Sequence, residues 1–476
     1  MADAEATIPK ESLGPAASFL PRLARHSYLF ESGQYSIRDA IYGSIPLSHA
    51  AYSTMDTQAF QRLKHIKQVG PVYLVYPGAT HTRFSHSIGV YHLARLALRH
   101  LVSLADIQPE DGRATLAAAM LHDVGHFPLS HLIDELNINN TFLNHAELSA
   151  DLITSDSELR KVLESEWEVD PELVANMVRG RPNGNTPRFL FTLLDGPTDI
   201  DKLDYLNRDA HHAGVPYGKV EVERLIEFLA VDPTTEELVI MENGIGTVES
   251  VIFAKYLMFR YIYWHHTARI ATAMINRAIL DVLTALGIER LHITDPRLRR
   301  LCLGTDATLE KTLIQLLEEA NTDRPQSFSL INRVDQRRLY KRGISIPCAE
   351  APQLDKRYKD AKSRRNAEME IAENLKRRLG AEDIRDFDIL IHVPPSAKFA
   401  ADIRGVYVPG DSSEAHSYDI YEWESTPSPS YFTRDAVAAM EHRLRNIMYT
   451  CNVDTPHGRD IQRMLRSKEI NLEAVL

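Results

Sequence analysis

Residues 114–134 read ATLAAAMLHDVGHFPLSHLID, and the contrast between the start and the end of that stretch decides how the chain folds. From Ala114 to about Val124 nearly every side chain is apolar, which predicts a helix with no solvent-facing side and therefore a buried one. His122 and Asp123 stand at its end. A carboxylate inside a core is costly unless a cation, a hydrogen-bond network or a metal compensates it. Working outward, Met55 to Val69 spaces Phe60, Leu63, Ile66 and Val69 three apart among charged residues, predicting a helix closed by Gly70 and Pro71. Tyr73 to Tyr76 reads as a short extended link, followed by a helix from Phe84 through His100. Further helices are expected around 145–165, 171–178, 185–208, 220–230 and 247–285.

After about residue 350 the texture changes. The stretch 356–380, KRYKDAKSRRNAEMEIAENLKRRLG, reads as a charged helix ending at its glycine, its mixed signs marking a solvated face. FDILIHV (387–393), GVYV (405–408) and DIYEW (419–423) read as strands, with a helix near 433–448. The fold class is therefore mainly α. The expected division is an N-terminal arm (1–34), a helical domain with a helical extension (35–350) and a smaller C-terminal α+β unit (351–476).

Composition sets the outer limits. At 476 residues, with roughly 150 per domain, two or three packed units are expected. A formal charge of -11 argues against a surface built for polyanions, so nucleic acid is not an expected partner. Cys302, Cys348 and Cys451 lack CxxC spacing, which argues against a disulfide framework or a thiolate zinc site. No apolar run approaches the ~20 residues that span a bilayer, and the first residues are acidic where a signal peptide is basic. A cytoplasmic protein without a membrane partner is expected. Gly244 and Gly246 lack a third glycine, and no P-loop appears.

The unusual polar residues fall in four segments: HTRFSHS (81–87), LHDVGHFPLSHLID (121–134), NHAEL (144–148) and DIDKLDYLNRDAHH (199–212). His86, His122, Asp123 and Asp201 offer two imidazoles and two carboxylates from different elements, a set that suits one divalent Mn, Fe, Mg or Zn. The competing reading of a lone His-Asp step is a hydrogen-bonded pair without metal.

The ordered stretches FQRLKHIKQVGPVYLVYPGATHTRFSHSIGVYHLA (60–94), LHDVGHFPLSHLID and DIDKLDYLNRDAHHAGVPYG (199–218) resemble the HD-domain phosphohydrolase superfamily, in its deoxynucleoside-triphosphate triphosphohydrolase branch. The resemblance covers roughly residues 35–290, with FAKYLMFRYIYWHHTAR (253–269) most similar to stand-alone bacterial members, and no sterile-alpha-motif domain is expected ahead of it. It implies that His86, His122, Asp123 and Asp201 are metal ligands, and that Arg83 and Lys202 contact phosphate. It implies catalytic roles for His126, His131, Asp134 and His145, and places Tyr205 and Asp209 against the deoxyribose. Asp56, Gln61 and Lys64 fall on a guanine-nucleotide regulatory pocket, Lys64 standing where vertebrate members carry Arg. Lys255, Arg260, His265, His266 and Arg269 are the candidates for the outer phosphates. The implied activity is hydrolysis of a deoxynucleoside triphosphate to deoxynucleoside and triphosphate by a homo-oligomer, dimer or tetramer, with a guanine-nucleotide activator. Two alternatives share the metal centre: an HD nuclease or nucleotide monophosphatase, and a nucleotide-sensing oligomer without strong turnover.

Overall fold

The computed structural model describes residues 25–30, 35–138, 141–142, 144–182, 184, 186–232, 235–396, 403–407, 416–421, 430 and 432–468. Most of the expected arm, Val408 of GVYV and the last two residues of DIYEW lie outside the described residues. A hairpin of β1 (Tyr35–Asp39) and β2 (Gly43–Leu47) leads into the helical body. Its main helices are α1 (Arg83–Leu101), α2 (Pro109–Leu121), α3 (His145–Ser155), α4 (Pro171–Val178) and α5 (Ile200–Ala213). After β3 (Leu229–Val231) and β4 (Leu238–Met241) come α6 (Ile245–Met258) and α7 (His266–Ala285). The later elements are β5 (Lys341–Pro347), α8 (Ala361–Leu379), β6 (Ile389–His392), β7 (Arg404–Tyr407), β8 (His416–Asp419) and β9 (Asn446–Cys451). The architecture is mainly α, as expected.

α2 is buried on nearly all faces from Ala114 to Leu121, and α1 packs along it. The apolar helix ends at Leu121 rather than Val124, so His122 and Asp123 occupy the turn beyond it. The single helix expected over 55–69 is absent. Asp56 closes a helix at 49–55, Thr57 caps a one-turn helix at 58–61, and 3₁₀ turns follow at 62–65 and 70–74. The apolar spacing of three in this stretch is the 3₁₀ period rather than the α period of 3.6. The expected helix over 185–208 is two, 188–194 and α5, separated by residues that include Gly196 and Pro197. The one over 247–285 breaks after a wide π turn at 259–263, where the His265 ring accepts from the Thr267 N–H and starts α7.

Two sheets finish the fold. β8-β7-β4-β3 form a four-stranded sheet in which β4 and β7 run parallel, Ile240 beside Gly405 and Met241 beside Val406, so β7 joins a strand that follows the helical body. β5-β9-β6 form an antiparallel sheet whose strands alternate between two cores. Ile389, Ile391, Ile447 and Tyr449 point into a small cluster with Leu375 of α8, while Leu390 and Met448 point into the main core. That sheet is the joint between the helical body and the C-terminal helices. Among the described residues no helix is long and apolar enough to cross a membrane.

Candidate functional site

The N-terminal turn of α1 carries His86, the turn after α2 carries His122 and Asp123, and the first turn of α5 carries Asp201. His86 Nε2 lies 2.9 Å from Asp201 Oδ1 and 3.8 Å from Asp123 Oδ2. His122 Nε2 lies 3.5 Å from Asp123 Oδ2 and 3.6 Å from Asp201 Oδ1. Both Nε2 atoms are buried and accept or donate no hydrogen bond among the described residues. Two orphaned imidazole nitrogens facing two carboxylates fit a divalent cation of the borderline or hard kind. Burial opposes ionisation of Asp123, but Arg83, then His122 and His86, hold its carboxyl well below the usual range. Asp201 is likewise held low by His122 and His86 against its burial.

A second layer fixes the first. His86 Nδ1 is 2.7 Å from Asp204 Oδ2, one turn beyond Asp201 on α5. Arg208 donates to the same carboxylate through Nε (2.8 Å) and Nη2 (2.9 Å), and through Nη1 to Asp39 Oδ2 (2.7 Å) at the end of β1. With its Nδ1 proton given to Asp204, the His86 ring keeps the Nε2 lone pair for a ligand. Gly89 lets α1 approach this pair, since a Cβ there would lie 2.0 Å from Asp204 Oδ1. The His122 ring is set by Nδ1 donating to Ala119 O at 2.9 Å.

Arg83 Nη1 pairs with Asp123 Oδ2 at 2.5 Å, Nε donates to Ser130 Oγ at 3.0 Å, and Nη2 lies 3.2 Å from His131 Nε2. Leu129 and Ser130, with φ of 57° and 54°, hold left-handed conformations costing about 1–3 kcal/mol each. Their loop is pinned from outside. Arg62 donates to the carbonyls of Val124 and His126 (2.8 Å each) and of Gly304 (2.8 Å), while Asp306 accepts from the N–H of Leu129 (2.7 Å) and of Lys67 (3.0 Å).

Asp134 gathers three histidines: His145 Nδ1 at 3.1 Å, His131 Nδ1 at 3.4 Å and His126 Nε2 at 3.9 Å. Because Arg83 donates to His131 Nε2, the neutral ring carries its proton on Nδ1, toward Asp134. Phe127 N–H donates to His126 Nδ1 (2.9 Å), leaving the proton on Nε2. Burial, then Arg83 and the neighbouring histidines, push His126 well below the ordinary value, so it is neutral. Burial pulls His145 down, but Asp134 more than offsets it and raises it. The His126 and His145 rings stack at 4.3 Å. Gly125 permits this, since a Cβ there would lie 2.3 Å from Ser149 N on α3.

Beyond the cluster, Asp209 is clasped by His81 Nε2 (2.7 Å) and the Tyr263 hydroxyl (2.5 Å), with Tyr205 edge-on to Tyr263 at 6.3 Å. Lys202 Nζ donates to Asp199 Oδ2 (2.5 Å) and Gly196 O (2.9 Å), and Asp199 keeps its pKa raised against burial. Arg269 donates to Glu135 and to His392. Arg260 lies exposed, donating to the Tyr256 hydroxyl at 2.6 Å. Asp56, Gln61 and Lys64 sit on successive short turns rather than one helix. The Gln61 amide donates to Met55 O (2.8 Å) and its oxygen accepts from Lys64 Nζ (2.6 Å). Sequence reasoning missed Asp39, Arg62, Asp204, Arg208, Tyr263 and Asp306. Of these Asp204 had a signal: three residues after Asp201 it shares the inward face of α5.

The family described as "HD domain" matches residues 83–204, from the arginine of the cluster to the aspartate behind His86. All four cluster side chains therefore lie within the segment that matches the HD domain. Next to the HD domain, the family described as "HD associated region" matches residues 220–415. An uncharacterized Bacillus subtilis protein, YwfO, is 33% identical over 232 residues, 48% of this chain and 51% of that protein. Deoxynucleoside triphosphate triphosphohydrolase SAMHD1 of Gallus gallus is 27% identical over 341 residues, 64% of this chain and 55% of that enzyme. The match thus spans little more than half the length of these relatives. A crystal structure of a phosphohydrolase from Bacteroides thetaiotaomicron shares the fold, with a TM-score of 0.62, 23% identity, and coverage of 88% of this chain and 100% of that one.

Proposed function

We propose that this HD-domain protein hydrolyses deoxynucleoside triphosphates to deoxynucleoside and triphosphate, using one divalent cation held by His86, His122, Asp123 and Asp201. The observation that carries the reading is the pair of buried, unpartnered Nε2 atoms of His86 and His122 facing two ionised carboxylates. The cation, Mn, Fe, Mg or Zn, supplies Lewis acidity to the phosphoryl group and to water. Every other task falls to side chains. Arg83 offers a planar fork and Lys202 a compact charge to phosphate oxygens. His131, once Arg83 has turned from its Nε2 to phosphate and that nitrogen carries a proton, with Asp134 balancing its charge, donates to the departing 5′-oxygen. His126, whose Nε2 also bears a proton, is the alternative donor, and His145 keeps Asp134 in place. Asp209 accepts from the 3′-hydroxyl, and Tyr205 limits the space at C2′.

The name of the Gallus gallus relative supports this substrate class. The same resemblance brings a homo-oligomer and a guanine-nucleotide activator at Asp56, Gln61 and Lys64, which would have to displace the Gln61 contacts to Met55 and Lys64. The test is incubation with dATP, a 5′-monophosphate and single-stranded DNA, each with Mn or Mg, in ¹⁸O-water. Tripolyphosphate bearing the label is the expected product. Label in a nucleoside monophosphate, or cleavage of DNA or the monophosphate alone, would refute the reading in favour of pyrophosphohydrolase, nuclease or monophosphatase chemistry.

A further inference from the structure

Nothing in that chemistry involves the C-terminal part of the chain, yet one of its side chains is linked to the turn that carries His131 and Asp134. That turn is one four-residue helix, 131–134, closed by Glu135. So short a helix has too few hydrogen bonds to hold itself, and the loop before it is strained at Leu129 and Ser130. Arg269, in the first turn of α7, grips the Glu135 carboxylate with both terminal nitrogens, Nη1 on Oε1 at 3.0 Å and Nη2 on Oε2. Its third nitrogen, Nε, donates to His392 Nε2 at 2.7 Å, at the end of β6. The Arg269 and Glu135 side chains are only 11% and 10% exposed, and His392 is buried. Since its Nε2 accepts, the His392 ring is neutral; burial, then Arg269 and Arg364, push its pKa well below the ordinary value. A second tie runs alongside, Asn137 Nδ2 donating to Lys359 O at 3.2 Å.

We infer that Arg269 and His392 are positioning residues, through which the β5-β9-β6 sheet sets the place of the turn bearing His131 and Asp134. The guanidinium is a rigid planar fork. With two corners on Glu135 and the third on His392, its plane is fixed by the sheet, and Glu135 follows. His131 Nε2 must meet the reacting oxygen at hydrogen-bond distance, so a shift of the turn by a fraction of an ångström reaches the chemistry directly.

The kinetic arm of the test rests on the proposed dNTP hydrolysis; the spectroscopic arm does not. The full chain is prepared as wild type, Arg269→Met, Glu135→Gln, His392→Leu and His392→Asn. Each is measured for dATP hydrolysis with Mn, for bound metal, and for the His131 ring resonance by NMR of histidine-labelled, Zn-loaded protein. Arg269→Met and His392→Leu are expected to lower kcat about 10–100-fold with KM and bound metal nearly unchanged. His392→Asn, which keeps an oxygen for Nε, is expected to retain most of the activity. The His131 resonance should move in the first two variants and stay in the third. A kcat within about twofold of wild type in both, or kcat and metal falling together, overturns the inference. Should Arg269→Met fail to fold, Glu135→Gln, of the same shape without the charge, decides the question by the same readings. A wild-type chain without dATP turnover refutes the proposed function, whereas an unmoved His131 resonance in the variants refutes the brace.

Discussion

Replacing Asp204 with Asn tests whether the carboxylate behind His86 decides which nitrogen of that ring faces the metal cluster. The carboxylate accepts from His86 Nδ1 at 2.7 Å and from Arg208 at 2.8 and 2.9 Å, so everything around it is a donor. An amide has the same volume but only one accepting edge. If its oxygen serves Arg208, its NH₂ meets His86, and the ring proton must move from Nδ1 to Nε2, removing a ligand. Losing such a partner costs about 10–100-fold in metal affinity, or ~1.4–2.8 kcal/mol. If instead the oxygen takes the Oδ2 place, it accepts from His86 and from Arg208 Nε, while the NH₂ opposes Nη2 of that fully buried guanidinium, which keeps only Asp39 as a carboxylate. Breaking a buried pair in that way costs ~3–5 kcal/mol of stability. The two outcomes separate in one sample: chelator competition gives the metal affinity and urea unfolding the stability of Asp204→Asn. Wild-type affinity together with wild-type stability would refute the reasoning, because no placement of the amide satisfies all three donors.

Burial pulls the His86 pKa down, but Asp201 and Asp204 outweigh it and raise it to about 10. The folded value lies above the ordinary 6.5, so its stabilisation of the metal-free chain is complete below about pH 6.5 and fades as pH rises toward 10. Thermal melting of the metal-free chain should therefore weaken across that window, and metal uptake near pH 7 should release protons, measurable by calorimetry in two buffers; uptake without release would refute the assignment. Gly89→Ala, with its Cβ 2.0 Å from Asp204 Oδ1, should cost ~1–3 kcal/mol or more and loosen bound metal, both read by urea unfolding and metal analysis. His131→Ala should lower kcat for dATP by about 10²–10⁴ while keeping its metal; metal loss in step with activity would place His131 among the ligands instead. Asp56→Ala should abolish stimulation of dATP hydrolysis by dGTP with bound metal unchanged, and stimulation that persists would remove the regulatory reading.

The sequence made the cluster legible because a charged pair stood where only apolar side chains belonged: Leu121, His122, Asp123 and Val124 need no partner chain to look anomalous. The mainly α class followed from the same apolar periodicity. The second layer was hidden by distance in sequence, since Asp39 and Arg208 meet across 169 residues and nothing local marks either. The helix expected over 55–69 failed because a spacing of three suits two geometries. The ends around Asp56 and Thr57, and the contacts of Arg62 to carbonyls far along the chain, chose the tighter one. The partnering of residues 404–407 with 240–241 escaped for a similar reason: a short apolar strand shows its face but not its neighbour.

The pins on the turn after the His-Asp step have a consequence for how the molecule is built at the ribosome. Arg62 joins the carbonyls of Val124 and His126 to that of Gly304, and Asp306 holds the N–H groups of Lys67 and Leu129. Synthesis runs from the N-terminus, so His86, His122, Asp123 and Asp201 emerge well before residues 304–306 do. During that interval the strained Leu129–Ser130 corner lacks the carboxylate that secures it. The corner beside the His-Asp cluster is thus framed by a segment that lies about a hundred residues beyond Asp201 in sequence and supplies none of the cluster's side chains.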